Sequence, residues 1–295
     1  MESHNFSNDT TISYISSEVN NRNATKVTIL TNIEIGLIHL SLSLIFLTIQ
    51  ILVFSALTQL KSLTKQTPFM IILHHGNLSL VQQICHILTS IVTLFYLDSI
   101  EPILNLIGSL LQSSYMGGIA FVMLLTMNRC DILYKQKLFP KIDRKKFYKI
   151  FIFFIYIWTA ISFIIFLIPN YRLTFDLNLY DWIYQYRREM SDPAFRYENI
   201  SIFILLLMSL IGQFMILFKI IFNRSIHIMK CSIKLKDIDL IIHAIFCFIS
   251  VAFLEFCWGE IAIDIYETPI GSLIPQIMYI CISGANTTFV LFFVL

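Results

Sequence analysis

The chain has 295 residues, of which 57% are apolar and only 14% charged, with a net charge of +2 and a mean hydropathy of +0.74. Soluble domains carry about 25% charged residues, so roughly half of the usual solvating charge is missing, and the apolar residues gather in runs long enough to cross a bilayer. That excludes a soluble enzyme, a nucleic-acid binder and a disordered linker, and +2 is too small a charge to argue for an acidic partner.

Residues 1–32 come first, a polar tail without the basic start and apolar core of a cleavable signal peptide. Three N-glycosylation sequons lie in it, starting at Asn5, Asn8 and Asn23, the acceptor pattern of an extracellular segment. Further matches at Asn77, Asn223 and Asn286 fall in apolar spans or a basic loop and are expected to stay unused.

Residues 33–295 read as one membrane domain with seven apolar segments, at about 33–57, 68–97, 103–127, 147–169, 200–222, 240–263 and 270–295. Each exceeds the roughly 20 residues that a helix needs to span the hydrocarbon core. None alternates polar with apolar residues as a barrel strand would. The expected fold is all-α, a polytopic seven-transmembrane helix bundle. Thr67-Pro68 supplies a first-turn proline to the second span, and Pro169-Asn170 stops the fourth. The loops at 58–67, 128–146 and 223–239 hold 13 Lys and Arg, against six in the tail and the other three loops. The basic side is expected to be cytoplasmic, which puts the N-terminus outside, in agreement with the sequons. Within the second basic loop, Lys141, Arg144, Lys145 and Lys146 read as a positive-inside anchor or as an attraction for anionic lipid or an acidic partner surface.

Polar residues inside spans carry the functional signal, because lipid offers them no partner. In the second span His75, Ser79, Gln82 and His86 recur at i, i+4, i+7 and i+11, one face of a helix. That face is expected to turn inward, as packing hydrogen bonds, as a hydrated polar channel that rearranges during switching or, with no His-Glu-x-x-His cluster to favour it, as a metal or catalytic site. In the third span Tyr115 precedes Arg129 by 14 residues, roughly 21 Å along a helix. Gly117-Gly118 between them allow close helix approach. In the sixth span Glu255 needs a cation or a polar neighbour at that depth, with His39 or a hydroxyl expected, and Trp258 lies one turn further on the same side. The six cysteines lack metal-ligand spacing, and no metal or cofactor is expected.

The third span closes on Met127-Asn128-Arg129-Cys130-Asp131, and Leu125-Thr126-Met127-Asn128-Arg129 has the form Leu-x-x-Asn-Arg. Together with seven spans and an outside N-terminus, this resembles a G-protein-coupled receptor, and more narrowly the nematode serpentine chemoreceptors grouped as Srt and Srx. The segment Thr67-Pro68-Phe69-Met70-Ile71-Ile72-Leu73-His74-His75-Gly76 is similar to the start of their second span. The resemblance covers essentially the whole chain. It implies a chemosensory receptor of the plasma membrane, in sensory neuron cilia, that binds a small external ligand in the outer half of the bundle and signals through a heterotrimeric G protein. Gln112, Tyr115, Glu255 and Trp258 are then the ligand-binding candidates, and Asn128 and Arg129 belong at the G-protein surface. Pocket walls rich in Phe and Ile are expected, which suggests a small, fairly apolar ligand. A dimer is left open.

Compared with rhodopsin-like receptors the match is partial. Asn128-Arg129-Cys130 stands for Asp-Arg-Tyr, Gln82 for the sodium-binding aspartate, Cys257-Trp258-Gly259-Glu260 for Cys-Trp-x-Pro, and Asn286-Thr287-Thr288-Phe289-Val290 for Asn-Pro-x-x-Tyr. No cysteine lies near the top of the third span or in residues 170–199, so the usual extracellular disulfide cannot form. That loop must be ordered by its own contacts, or be mobile. The chain stops at Leu295, without the short amphipathic helix and tail that the resemblance implies, as a truncated sequence or a decaying gene would.

Two other functions compete. A seven-span intramembrane lipid hydrolase needs three ligands around a zinc, and His75 and His86 lie about 16 Å apart along the helix axis, too far to share one. A seven-span ligand-gated channel of the insect odorant-receptor type has its N-terminus in the cytosol, opposite to the charge and sequon pattern. Neither the matching halves nor the broken helices of a transporter are visible.

Overall fold

The computed structural model describes residues 30–59, 66–97, 100–134, 143–178, 180–184, 193–226, 235–258 and 269–293. Seven helices account for most of them: α1 (Asn32–Gln59), α2 (Thr67–Phe95), α3 (Glu101–Leu133), α4 (Arg144–Leu167), α5 (Pro193–Ile226), α6 (Leu235–Trp258) and α7 (Pro269–Phe293). Among the described residues six of these are long and apolar enough to cross a membrane, and α7 contributes a shorter apolar stretch, Leu273–Ala285. The glycosylation candidates Asn5, Asn8 and Asn23, Glu260, and much of each basic loop lie outside the described residues.

Local chemistry sets the helix ends. Pro68 sits in the first turn of α2, after an extended Gln66, where its missing N–H costs nothing. At the other end Tyr96 turns left-handed (φ 47°), and the amides of Tyr96 and Leu97 close back on Thr93 and Val92, satisfying carbonyls that a helix end would orphan. The Asp143 carboxylate accepts from the amides of Lys145 and Lys146, and this cap starts α4 at Arg144, three residues before the span expected at 147. Helix α3 continues six residues past the expected 127, to Leu133, so Asn128 and Arg129 are helical rather than part of a loop. Helix α5 starts at Pro193 instead of 200, which brings Glu198 onto the helix.

Helix α3 is the axis of the bundle. It packs against α2, α4, α5 and α6, while α1 is held by α2 and α7. The apolar window of α3 is 83% buried and that of α5 only 17%. Phe153 and Phe154 of α4 and Phe203, Phe214 and Phe218 of α5 are exposed, as befits a lipid-facing surface where apolar exposure costs nothing. The tight passage between α3 and α4 depends on one glycine of the pair. A Cβ on Gly117 would lie 2.3 Å from Thr159 Oγ1 and 2.7 Å from Leu78, whereas one on Gly118 would meet its nearest neighbour, Gln82, at an ordinary 3.5 Å.

The all-α expectation describes the bundle, and residues 170–199 add a small β element to it. A 3-10 turn (Pro169–Tyr171) leads into antiparallel strands β1 (Leu173–Asp176) and β2 (Asp181–Tyr184), paired from Leu173↔Tyr184 to Asp176↔Asp181. Contacts order this hairpin where no disulfide does. Phe175 meets Trp182 edge to face at 5.2 Å. The Trp182 ring covers Gly108 of α3 so closely that a Cβ there would lie 2.6 Å from it. Tyr180, left-handed at φ 55°, donates its hydroxyl to the side chain of Asn32 at the start of α1.

Candidate functional site

At the hairpin end, α3, α5, α6, α7 and β2 converge on a chamber of polar and aromatic side chains. Tyr115 of α3 donates its hydroxyl to Glu255 Oε1 of α6 at 2.5 Å, so the expected neighbour of this carboxylate is a hydroxyl and not His39. Tyr115 also forms a triad of mutually edge-on rings with Trp258 (5.6 Å) and Tyr279 of α7 (5.0 Å), Trp258 and Tyr279 being 5.0 Å apart. Gln112, one turn before Tyr115, donates to Glu198 of α5, and Tyr184 of the hairpin donates to the other oxygen of the same carboxylate. Nearby, Gln276 of α7 donates to Asp181 of β2. All four sequence candidates therefore meet in one place. Glu198, Tyr184, Asp181, Gln276 and Tyr279 join them without having been foreseen.

Just below the triad lies a small cavity lined by His75, Ser79, Gln82, Tyr115, Gly118 and Ser283, with about 10 Å³ for the centre of a water molecule. That is room for about one water, and the lining offers the several polar partners it needs. Three members of the second-span polar face reach this cavity. The fourth, His86, lies higher, edge-on to Tyr279 at 4.8 Å and within electrostatic reach of His39. On the next face of α2, Gln83 Nε2 donates to Ser283 Oγ (2.5 Å) and to the Ile280 carbonyl (3.0 Å), while Gln50 of α1 donates to the Ser283 carbonyl (3.3 Å). The inner wall of the bundle is thus polar from the chamber down to mid-helix, and the exposed Phe and Ile side chains of α4 and α5 face away from it.

The opposite end is closed. Arg129 is 2% exposed and Asn128 3%, with Tyr148 of α4 buried beside Asn128. Asp131 Oδ2 accepts from Arg144 Nε at 2.7 Å, a bridge from the end of α3 to the first residue of α4. Between α3 and α5, Thr126 Oγ1 lies 3.2 Å from Ser209 Oγ and accepts from Gln213 Nε2 at 3.1 Å. Tyr134 donates to the Met215 carbonyl at 3.3 Å. Among the described residues no three His, Cys, Asp or Glu side chains gather as a metal site would require.

A polar chamber at one end of an apolar helix bundle, a closed basic site at the other and one buried helix between them define a multi-pass membrane protein of the receptor type. The family model of the serpentine type 7TM GPCR chemoreceptor Srx matches residues 40–247, from within α1 to within α6, and the chain belongs to this family. The family is one of chemoreceptors rather than enzymes, and G-protein-coupled receptors as a class work with a ligand and a G protein. No curated protein matches the chain.

Proposed function

We propose that this chain is a plasma-membrane chemosensory receptor that takes a small external ligand into the hairpin-end chamber and signals through a heterotrimeric G protein at the Arg129 end. One observation carries the reading: α3 alone places Gln112 and Tyr115 in the chamber and Arg129, 2% exposed, in the closed site at the other end. The charge pattern and the sequons at Asn5, Asn8 and Asn23 support an outside chamber and a cytosolic Arg129.

In this mechanism the ligand contacts Gln112, Tyr115, Glu255 and Trp258, and the hairpin covers it. It has to bind better when the opposite end is open than when it is closed, since equal affinity for both states shifts nothing. Displacing the Tyr115–Trp258–Tyr279 contacts moves α3 relative to α6 and α7, and the water-sized cavity at His75, Ser79 and Gln82 gives side chains space to rearrange. Opening separates the inner ends of α3 and α5 and exposes Asn128 and Arg129. The hydrolase alternative gains nothing from this geometry, because His75 and His86 face different neighbours.

The test is expression of the full chain with a C-terminal tag, in parallel with an Asn5/Asn8/Asn23→Gln triple variant and an Arg129→Ala variant. Glycosidase should shift the mobility of the parent and leave the triple variant unmoved. Ligand-stimulated nucleotide exchange should disappear in Arg129→Ala while ligand binding persists. A parent whose N-terminus is found in the cytosol, or an Arg129→Ala protein that still drives exchange, refutes the proposal.

A further inference from the structure

We infer that the exposed face at the start of α4 holds the headgroup of an anionic phospholipid that carries more than one phosphate, with Lys145, Lys146 and Lys149 as its cationic contacts. That this end faces the cytosolic leaflet rests on the receptor reading above; the lipid contact itself does not. Helix α4 is divided sharply along its length. Tyr148, Ile152, Ile155 and Thr159 turn into the bundle. Lys145, Lys146 and Lys149 are exposed, as are Ile150 (52%), Phe153 (62%) and Phe154 (58%) beyond them. Lys145 and Lys146 precede Lys149 by four and three residues, so the three lysines are neighbours on one side of the helix.

No ion pair among the described residues takes up these lysines. The pair beside them is Arg144 with Asp131, at 2.7 Å, and its two members serve each other. The adjoining acid, Asp143, turns its carboxylate to the backbone amides of Lys145 and Lys146. Upstream, residues 132–142 add Lys135, Lys137 and Lys141 and no acid. Lysines in the first turns also face the positive end of the helix dipole, which favours anions. An external anion on this face relieves both repulsions.

Continuity with the apolar strip selects a lipid over an acidic protein. Phe153 follows Lys149 by four residues, about 6 Å along the axis, and helical side chains lean toward the N-terminus. The ammonium groups therefore reach into the headgroup layer, while the lysine stems, Ile150 and Phe153 lie against acyl chains. One phospholipid touches both parts of the strip, whereas a soluble acidic surface touches only the lysines. The number of charges selects the headgroup. Three ammonium groups within about one turn repel one another. A single phosphodiester brings one negative charge to them, and a phosphorylated inositol ring brings several from one compact group.

The full-length protein in phosphatidylcholine nanodiscs would be titrated with phosphatidylinositol bisphosphate or phosphatidylserine, and the retained lipid counted by native mass spectrometry. The bisphosphate lipid should reach half-saturation at a mole fraction about tenfold below phosphatidylserine, a margin wider than the ratio of their charges. Lys145→Gln/Lys146→Gln/Lys149→Gln should weaken its retention about tenfold, and the three Lys→Arg changes should preserve it. Lys230→Gln/Lys234→Gln/Lys236→Gln removes the same charge between α5 and the start of α6 and should leave retention nearly unchanged. Equal half-saturation by the two lipids, indifference to the α4 variant, or an equal loss in the 230–236 variant would each overturn the inference. Soluble inositol trisphosphate binding as tightly as the lipid would do the same, because the apolar strip would then contribute nothing. A polyglutamate peptide that binds in plain phosphatidylcholine discs as tightly as the lipid, and is lost in the α4 variant, would assign the face to an acidic protein instead. Should the α4 variant fail to fold, the comparison of the two lipids on the unaltered protein decides alone. Retention is read without a G protein. An N-terminus found in the cytosol would refute the receptor reading and leave the lipid result standing.

Discussion

The bridge between Arg144 and Asp131 is half-open to its surroundings, the arginine 26% exposed and the aspartate 1%. Removing the exposed partner leaves a buried carboxylate without its cation, which in other proteins costs about 3–5 kcal/mol for fully buried pairs; the exposure of Arg144 brings the expectation down to about 1–3 kcal/mol. Arg144→Ala should therefore lower the unfolding temperature clearly. Adding Asp131→Asn to it should cost much less than the sum of the two single changes, because the charge that suffered is gone. Additive losses in that double-mutant cycle would show that the pair does not act as one. Gly117 and Gly118 permit a sharper comparison, being adjacent and chemically identical. Gly117→Ala forces a methyl group into Thr159 and Leu78 and should cost about 1–3 kcal/mol through overpacking, whereas Gly118→Ala meets only ordinary contacts and gains helix propensity worth about 1 kcal/mol. Matched unfolding curves in nanodiscs check this, and equal effects at the two positions would contradict the packing described. From sequence the two glycines are indistinguishable, because what separates them is the position of a side chain on α4.

Among the elements, the hairpin was the least legible. Its strands have four residues each, too short for an alternation to stand out. Its turn uses a left-handed Tyr180 where the usual hairpin signal is Asn-Gly or Asp-Gly. Only the missing disulfide hinted that this segment had to be ordered by its own contacts. Those contacts concentrate on Trp182, which packs on Phe175 and over Gly108. Trp182→Ala removes both, and large aromatic truncations in packed sites cost about 3–5 kcal/mol, more than an isolated two-stranded hairpin can supply. The expected outcome is local: hydrogen exchange across 173–184 should accelerate by at least a hundredfold while α3 and α4 keep their protection. Unchanged exchange in β1 and β2 would mean that the hairpin is held elsewhere. The bundle helices were far more legible, since membrane thickness fixes their length and lipid forbids unpaired backbone. Their ends were not, because the Asp143 cap and the extensions of α3 and α5 are local hydrogen-bonding matters that hydropathy does not register. The early start of α5 is also why Glu198 went unrecognised: with the span begun at 200 it counted as a loop residue.

For the molecule as a whole, the two ends are joined through α3, and the chain order already separated them: Gln112 and Tyr115 precede Arg129 by 17 and 14 residues on one helix. Which helix closes the Arg129 end could not be read that way, because it depends on tertiary pairs such as Thr126 with Ser209, whose hydroxyl oxygens lie 3.2 Å apart. That pair offers a lock. Hydroxyl oxygens that meet put cysteine sulfurs at both positions within reach of each other, and a disulfide between them would join α3 to α5 at the inner end. If signalling requires these helices to separate, the oxidised Thr126→Cys/Ser209→Cys protein should still bind ligand, with an affinity lowered by about 5- to 150-fold, the span of ordinary coupling between sites, since binding and opening are reciprocally linked. It should also fail to drive nucleotide exchange. Reduction with dithiothreitol should restore both. Because the chamber lies several helical turns away, an affinity drop in the locked form cannot come from a lost ligand contact; it measures the coupling carried by α3. A locked receptor that activates its G protein at the unlocked rate would show that the α3–α5 contact stays closed throughout the cycle and that the opening lies elsewhere, between α6 and its neighbours.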